Sequence, residues 1–188
     1  MEASFYTIRG DTVLCTLCPH SCQIELDATG RCGVRRNEQS VLQALSYGAV
    51  SAVALDPIEK KPLYHFRPGS SIFSVGSFGC NMRCPFCQNW QISTSAPDGG
   101  RIYSPEELVQ ATSASGAGAI AYTYSEPVVW YEFVRDCAVI ARDRGIANVM
   151  VTNGYLQPEP LDALLPLIDA WNIDLKCFTE DGYRKLGG

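Results

Sequence analysis

A chain of 188 residues that is 46% hydrophobic and 19% charged falls in the ordinary globular range and is long enough to bury a real core. Its net charge of −5 lacks the basic excess of a nucleic-acid binder, and the one local basic cluster, Arg31, Arg35 and Arg36, reads as solvated surface. No basic-then-apolar leader follows Met1, and the longest near-apolar run, residues 49–55, is far below the ~20 residues of a membrane span, so the expected setting is the reducing cytoplasm.

Nine cysteines in such a compartment point to bound metal before disulfides. Residues 1–68 read as a Cys-rich, metal-binding region of short strands and loops, with a strand in the alternating stretch Val41 to Tyr47 and turns over Asp27 to Gly33 and Arg67 to Gly69. Cys15, Cys18 and Cys22 are spaced C-x2-C-x3-C, and Cys32 follows in Gly-Arg-Cys-Gly. Four thiolates suit a closed tetrahedral zinc site or an iron–sulfur cluster, and spacing does not separate the two. His20 could substitute for one of these cysteines, though a lone histidine in such a loop is more often a surface group or a neighbour of the ligands, and His65 reads as a packing residue.

From Ser71 the pattern changes. Strand-like runs at 71–77, 119–124, 148–152 and 171–176 alternate with helical ones, the pattern of βα units around a parallel sheet. Ser104-Pro-Glu-Glu107 is a capping box that opens one helix. Pro127 opens a second that runs to Arg144 and stops at Gly145, and the third spans Pro158 to Ile168 with Pro166 bending or ending its last turn. At ~31 residues per βα unit, residues 69–188 hold about four units. Cys137 and Cys177 read as buried hydrophobes, and the aromatic run Tyr122, Tyr124, Trp130, Tyr131 and Phe133 as mostly core.

The stretch GCNMRCPFCQNW carries Cys80, Cys84 and Cys87 in the spacing C-x3-C-x2-C directly after the first of these strands. Three thiolates without an obvious fourth leave one iron of a 4Fe-4S cluster open to a ligand, although C-x2-C pairs also serve zinc. This loop resembles that of the radical S-adenosylmethionine (SAM) enzymes. The resemblance implies a partial (βα) barrel and a cluster at which SAM is reductively cleaved to a 5′-deoxyadenosyl radical. Phe86 matches the aromatic position near the SAM adenine, the alternative being packing beneath the loop.

The strand ends extend the likeness. Tyr124-Ser-Glu-Pro127 is similar to the family segment that hydrogen-bonds the SAM ammonium, with Ser125 where asparagine is usual; the role passes to Glu126, whose alternative is a helix N-terminal carboxylate. Val151-Thr-Asn-Gly-Tyr155 and Asn172-Ile-Asp-Leu-Lys176 resemble segments of the activating enzymes of glycyl radical proteins that line the SAM ribose and carboxylate. They implicate Thr152, Asn153, Asp174 and Lys176. The last two share a strand face, and an internal ion pair is their alternative role.

With Cys15-Thr-Leu-Cys-Pro-His-Ser-Cys22 and Asp56-Pro-Ile-Glu-Lys-Lys-Pro-Leu-Tyr-His-Phe66, these segments resemble the AmmeMemoRadiSam-system radical SAM enzymes, close to the pyruvate formate-lyase activating enzyme group. A six-unit partial barrel is usual there, so the chain reads as C-terminally truncated. The resemblance implies an oxidoreductase that abstracts hydrogen, a glycyl radical protein or a small molecule as substrate, and a reductant such as flavodoxin or ferredoxin. No nucleic acid or membrane is expected as partner. A non-catalytic metal-binding assembly module is the alternative.

Overall fold

A computed structural model describes residues 1–97 and 99–187. Its N-terminal part is built from short antiparallel pairs. Strands β1 (Tyr6–Arg9), β2 (Thr12–Cys15) and β3 (Gln23–Ile24) form one small sheet, and β4 (Arg35–Glu38) and β5 (Val41–Ala44) form a hairpin. Strand β5 ends at Ala44, three residues before the alternation does. β6 (Ala49–Val50) precedes β7 (Ala52–Pro57) and pairs with β9 (Arg101–Ile102), which comes later in the chain.

The main sheet contains β8 (Ser71–Gly76), β10 (Ala119–Tyr122), β11 (Ala147–Thr152) and β12 (Ala170–Ile173), all parallel, in the order β12-β11-β10-β8-β7. Helices connect them: α1 (Trp90–Ser93), α2 (Pro105–Ala114), α3 (Tyr131–Asp143) and α4 (Pro158–Leu164) lie between strands, and α5 (Glu180–Gly187) follows β12. The three inner strands β8, β10 and β11 are almost wholly buried along their length, as strands covered on both faces must be.

Sequence explains where the helices start and stop. Ser104 caps α2 in a reciprocal capping box with Glu107, with Pro105 at the first helical position. α3 is entered through a 3₁₀ turn, Pro127–Trp130, and buries Val134, Cys137, Ala138 and Ala141 on one stripe. Gly145, at φ +69°, follows it. Pro166 sits in the 3₁₀ turn Leu165–Leu167 that closes α4.

Two strands of the parallel sheet end at least two residues before the sequence suggests, for visible reasons. Tyr124 adopts φ +68°, which takes the chain out of β10 after Tyr122. β12 ends at Ile173 because its partner β11 ends at Thr152, and the N–H of Asp174 makes the final bond to the Thr152 carbonyl at 2.8 Å.

The boundary at residue 68 is not a boundary of the sheet. β7 pairs antiparallel with β8 over its whole length, and one apolar cluster joins Val13, Leu17, Ile24 and Leu42 to Val75, Trp130 and Phe133. The N-terminal strands are too short to enclose a core of their own, so they complete the one beside α3. Arg35 is no surface residue: it is 1% exposed, bonded to Glu132 at 2.9 Å and to the Ser4 carbonyl. Cys137 is buried as expected, whereas Cys177 is half-exposed beyond β12 and His65 is exposed in a bend.

Candidate functional site

The carboxyl ends of the four parallel strands converge on one cavity of about 450 Å³. Its walls carry Cys80, Cys84, Phe86 and Cys87 from the loop after β8, Glu126 from the turn after β10, Thr152 and Asn153 from the end of β11, and Asp174 and Lys176 from the segment after β12. Residues far apart in sequence are thus brought to one place because every strand of a parallel sheet delivers its C-terminal loop to the same side.

The cysteine loop is held in position by its neighbours. Gly79, at φ +83°, begins it, and a Cβ there would stand 2.7 Å from the Cys32 carbonyl and from Val34 Cγ1, so no side chain fits. The Cys87 N–H donates to the Cys84 carbonyl at 3.1 Å, closing a turn around Pro85 and Phe86. Asn153 donates to Asn81 Oδ1 at 2.8 Å, and Asn81 donates to the Tyr155 carbonyl at 2.8 Å, which ties the loop to the end of β11. Phe86 does not pack beneath the loop: it is 64% exposed on the cavity side.

Burial pushes the Cys80 thiol up to about 12, with the Glu126 charge adding to the shift. Burial also raises Cys84, against the pull of the Lys176 ammonium. Among the described residues no three His, Cys, Asp or Glu side chains stand in the geometry of a single bound metal ion. The donor set nonetheless fits a cluster: three soft thiols on one loop, facing one roomy cavity, with a cation beside Cys84.

Glu126 is 4% exposed. Its Oε1 accepts from the Val128 N–H at 2.9 Å and the Thr152 hydroxyl at 2.5 Å, and its Oε2 from the Asn153 N–H at 2.8 Å. Burial raises its pKa, and these three bonds work against the rise. The carboxylate is therefore both the cap of the 3₁₀ turn and a clasp between two strand ends. Lys176 Nζ lies 2.8 Å from Asp174 Oδ2, so these two form an ion pair on the cavity wall.

One cluster escaped the sequence reading. Asp56, at the end of β7, binds Lys61 Nζ at 2.9 Å, Lys60 Nζ at 3.1 Å and the Tyr124 hydroxyl at 3.0 Å. Lys60, Lys61 and Tyr124 all line the cavity. Burial would raise the Asp56 carboxyl, yet its bonds from Lys61, Lys60 and Tyr124 prevail and hold it well below the carboxylate range. The available signal was an aspartate near the end of an apolar strand, four residues before a Lys-Lys pair. Cys15, Cys18, Cys22 and Cys32 line a separate small cavity, with His20 beside them; His20 Nε2 donates to the Asn81 carbonyl at 2.7 Å.

A parallel α/β sheet with a three-cysteine loop at its strand ends defines a class, and comparison names it. A family model described as the radical SAM superfamily matches residues 74–188. The chain belongs to that superfamily. Its relatives set it close to the pyruvate formate-lyase activating enzymes: it is 32% identical over 119 residues to the pyruvate formate-lyase 1-activating enzyme of Escherichia coli, covering 58% of this chain and 47% of that one. It is 28% identical over 131 residues to the pyruvate formate-lyase-activating enzyme of Clostridium pasteurianum, covering 64% and 52%. An uncharacterized protein of Methanocaldococcus jannaschii is 47% identical over 188 residues, 98% of this chain and 56% of its own. The chain spans about half the length of the curated relatives it matches. Among the described residues no helix is long and apolar enough to cross a membrane.

Proposed function

We propose that this chain is the cluster- and SAM-binding portion of a radical SAM enzyme of the AmmeMemoRadiSam branch, acting in the manner of an activating enzyme. One observation carries the reading: nine residues singled out in four separate segments of sequence line the same cavity. Cys80, Cys84 and Cys87 would hold a 4Fe-4S cluster, which with SAM supplies a 5′-deoxyadenosyl radical for hydrogen abstraction. Phe86 offers the adenine an aromatic face at the cavity wall. Thr152 and Asn153 offer hydroxyl and amide groups to the ribose.

The ends of SAM carry opposite charges, and the cavity has a place for each. Glu126 keeps an Oε2 lone pair for the ammonium while it clasps Asn153, and Lys176 can meet the carboxylate by exchanging part of its contact with Asp174. The cavity volume lies within the range of sites that enclose a small cofactor. A reductant such as flavodoxin or ferredoxin would be needed, and a glycyl radical protein is the substrate that the activating-enzyme relatives favour.

Anaerobic reconstitution with iron and sulfide, followed by dithionite and SAM, tests this directly. The expected product is 5′-deoxyadenosine, lost when any of Cys80, Cys84 or Cys87 becomes alanine. A reconstituted chain that binds iron but never yields 5′-deoxyadenosine would instead be a non-catalytic metal-binding module.

A further inference from the structure

Behind the cysteine loop lies a second cavity, of about 20 Å³, lined by Cys15, Cys18, Cys22 and Cys32 together with Arg31, Arg35, His20 and Asn81. Its polar groups do not balance as they stand. Among the described residues, Arg35 Nε and Nη1 and Arg31 Nε are shielded from solvent without a hydrogen-bond partner. The Arg35 charge is met by Glu132 through Nη2 at 2.9 Å, but its remaining buried N–H groups and that of Arg31 still call for an acceptor. Four neutral thiols are poor acceptors, whereas four thiolates around a divalent ion carry net negative charge and accept well.

We propose that Cys15, Cys18, Cys22 and Cys32 bind one zinc ion, and that this ion fixes the cysteine loop against which the N-terminal region packs. The size of the cavity favours one of the two chemistries that the spacing leaves open: it has room for about one water-sized sphere, closer to a single ion than to a four-iron cluster. Since no three of these side chains already stand in single-ion geometry, the ion draws the thiols inward on binding. All four protein ligands are thiolates, so no position is left for a substrate and the role is structural.

Three contacts carry the effect to the loop. The Cys32 carbonyl and Val34 abut the Cα of Gly79, His20 Nε2 donates to the Asn81 carbonyl at 2.7 Å, and Arg83 bridges the Arg31 carbonyl at 2.6 Å and the Cys80 carbonyl at 3.0 Å. Zinc binding by the four cysteines does not depend on the function proposed above; the support of a cluster loop does.

Metal analysis of the full chain carrying Cys80→Ala, Cys84→Ala and Cys87→Ala separates the two readings, because that variant cannot assemble the loop's cluster. One zinc per chain is expected, and cobalt in its place should give the d–d absorption of a tetrahedral four-thiolate ion. Adding Cys18→Ala and Cys22→Ala should abolish both. Iron with sulfide in the triple variant, or a metal-free triple variant with unchanged circular dichroism, would overturn the zinc site whether or not the Cys18/Cys22 variant folds. Stripping the zinc with a chelator should quicken amide exchange over residues 79–83 about tenfold. Zinc loss with unchanged exchange there would overturn the support of the loop.

Discussion

The Glu126 carboxylate accepts the backbone N–H of Asn153 at 2.8 Å and so joins the end of β10 to the end of β11 at the cavity wall. The same group caps the turn into α3 and receives the Thr152 hydroxyl. Structural clasp and proposed ammonium acceptor are thus one residue, and a substitution can separate them. Glu126→Gln keeps the shape but loses the charge and can turn an amide N–H toward backbone donors. It should cost about 1.5–3 kcal/mol of stability, the range for hydrogen bonds to a charged group, and weaken SAM binding by a similar amount while cluster iron is retained. Urea unfolding and calorimetric titration of SAM read the two effects separately. Lost stability with unchanged SAM affinity would leave Glu126 as a clasp alone.

Asp56 lies among two ammonium groups and a phenol, and Lys61 beside it is buried. Asp56→Ala strands that ammonium and should cost about 3–5 kcal/mol, as breaking a buried pair does. The sign of the pH effect follows from the depressed carboxyl. The folded state favours the ionised form, so the stabilisation is fully present above the ordinary aspartate value of about 3.9 and is lost as pH falls through the lower folded value. Urea midpoints followed from about pH 5 down to pH 2 should fall steeply in the parent and less steeply in Asp56→Asn. Parallel acid limbs in the two proteins would assign the acid sensitivity to other carboxylates.

Cys80 must give up its proton to bind iron, and burial with the Glu126 charge holds that proton tightly. Cluster loading at a fixed iron and sulfide concentration should therefore rise with pH, and Glu126→Gln should shift the loading curve to lower pH by removing the repelling charge. Iron content against pH for the two proteins is the measurement. Superimposed curves would mean that Cys80 deprotonation does not control loading.

How far sequence led depends on what kind of signal each residue leaves. Ser104, Pro105 and Glu107 lie within four positions and form a local hydrogen-bond pattern, so their capping box was readable and is present at 3.1 and 2.7 Å. The parallel strands were readable because β8, β10 and β11 are apolar on both faces. The extent of β12 was not, since it is set by where its neighbour ends. Arg35 looked like surface charge in the company of Arg31 and Arg36, yet its partner Glu132 is 97 residues away in sequence. Asp56 has Lys60 and Lys61 only four and five residues away, so that pairing was legible; what the sequence did not show is its burial and the Tyr124 hydroxyl, 68 residues on, that completes the cluster. Long-range pairing, and not local propensity, decides which charges are inside.

Gly79 is where the two cysteine regions meet, and it makes the sharpest mutational test of that contact. A Cβ at this position would stand 2.7 Å from both the Cys32 carbonyl and Val34 Cγ1, and φ +83° is a conformation that L side chains rarely hold. Gly79→Ala therefore combines backbone strain with a clash against main chain that cannot rotate away, and should cost about 1–3 kcal/mol by the strain alone. Gly116→Ala is the matched control: it too has positive φ, +77°, but open space around its Cβ and a place between α2 and β10 away from the cavity lining. Both variants should lose stability in urea, whereas only Gly79→Ala should lower iron loading at the cysteine loop. Equal loading in the two variants would mean that the N-terminal region can shift aside without moving Cys80, and that the loop is positioned from the Asn153 side instead.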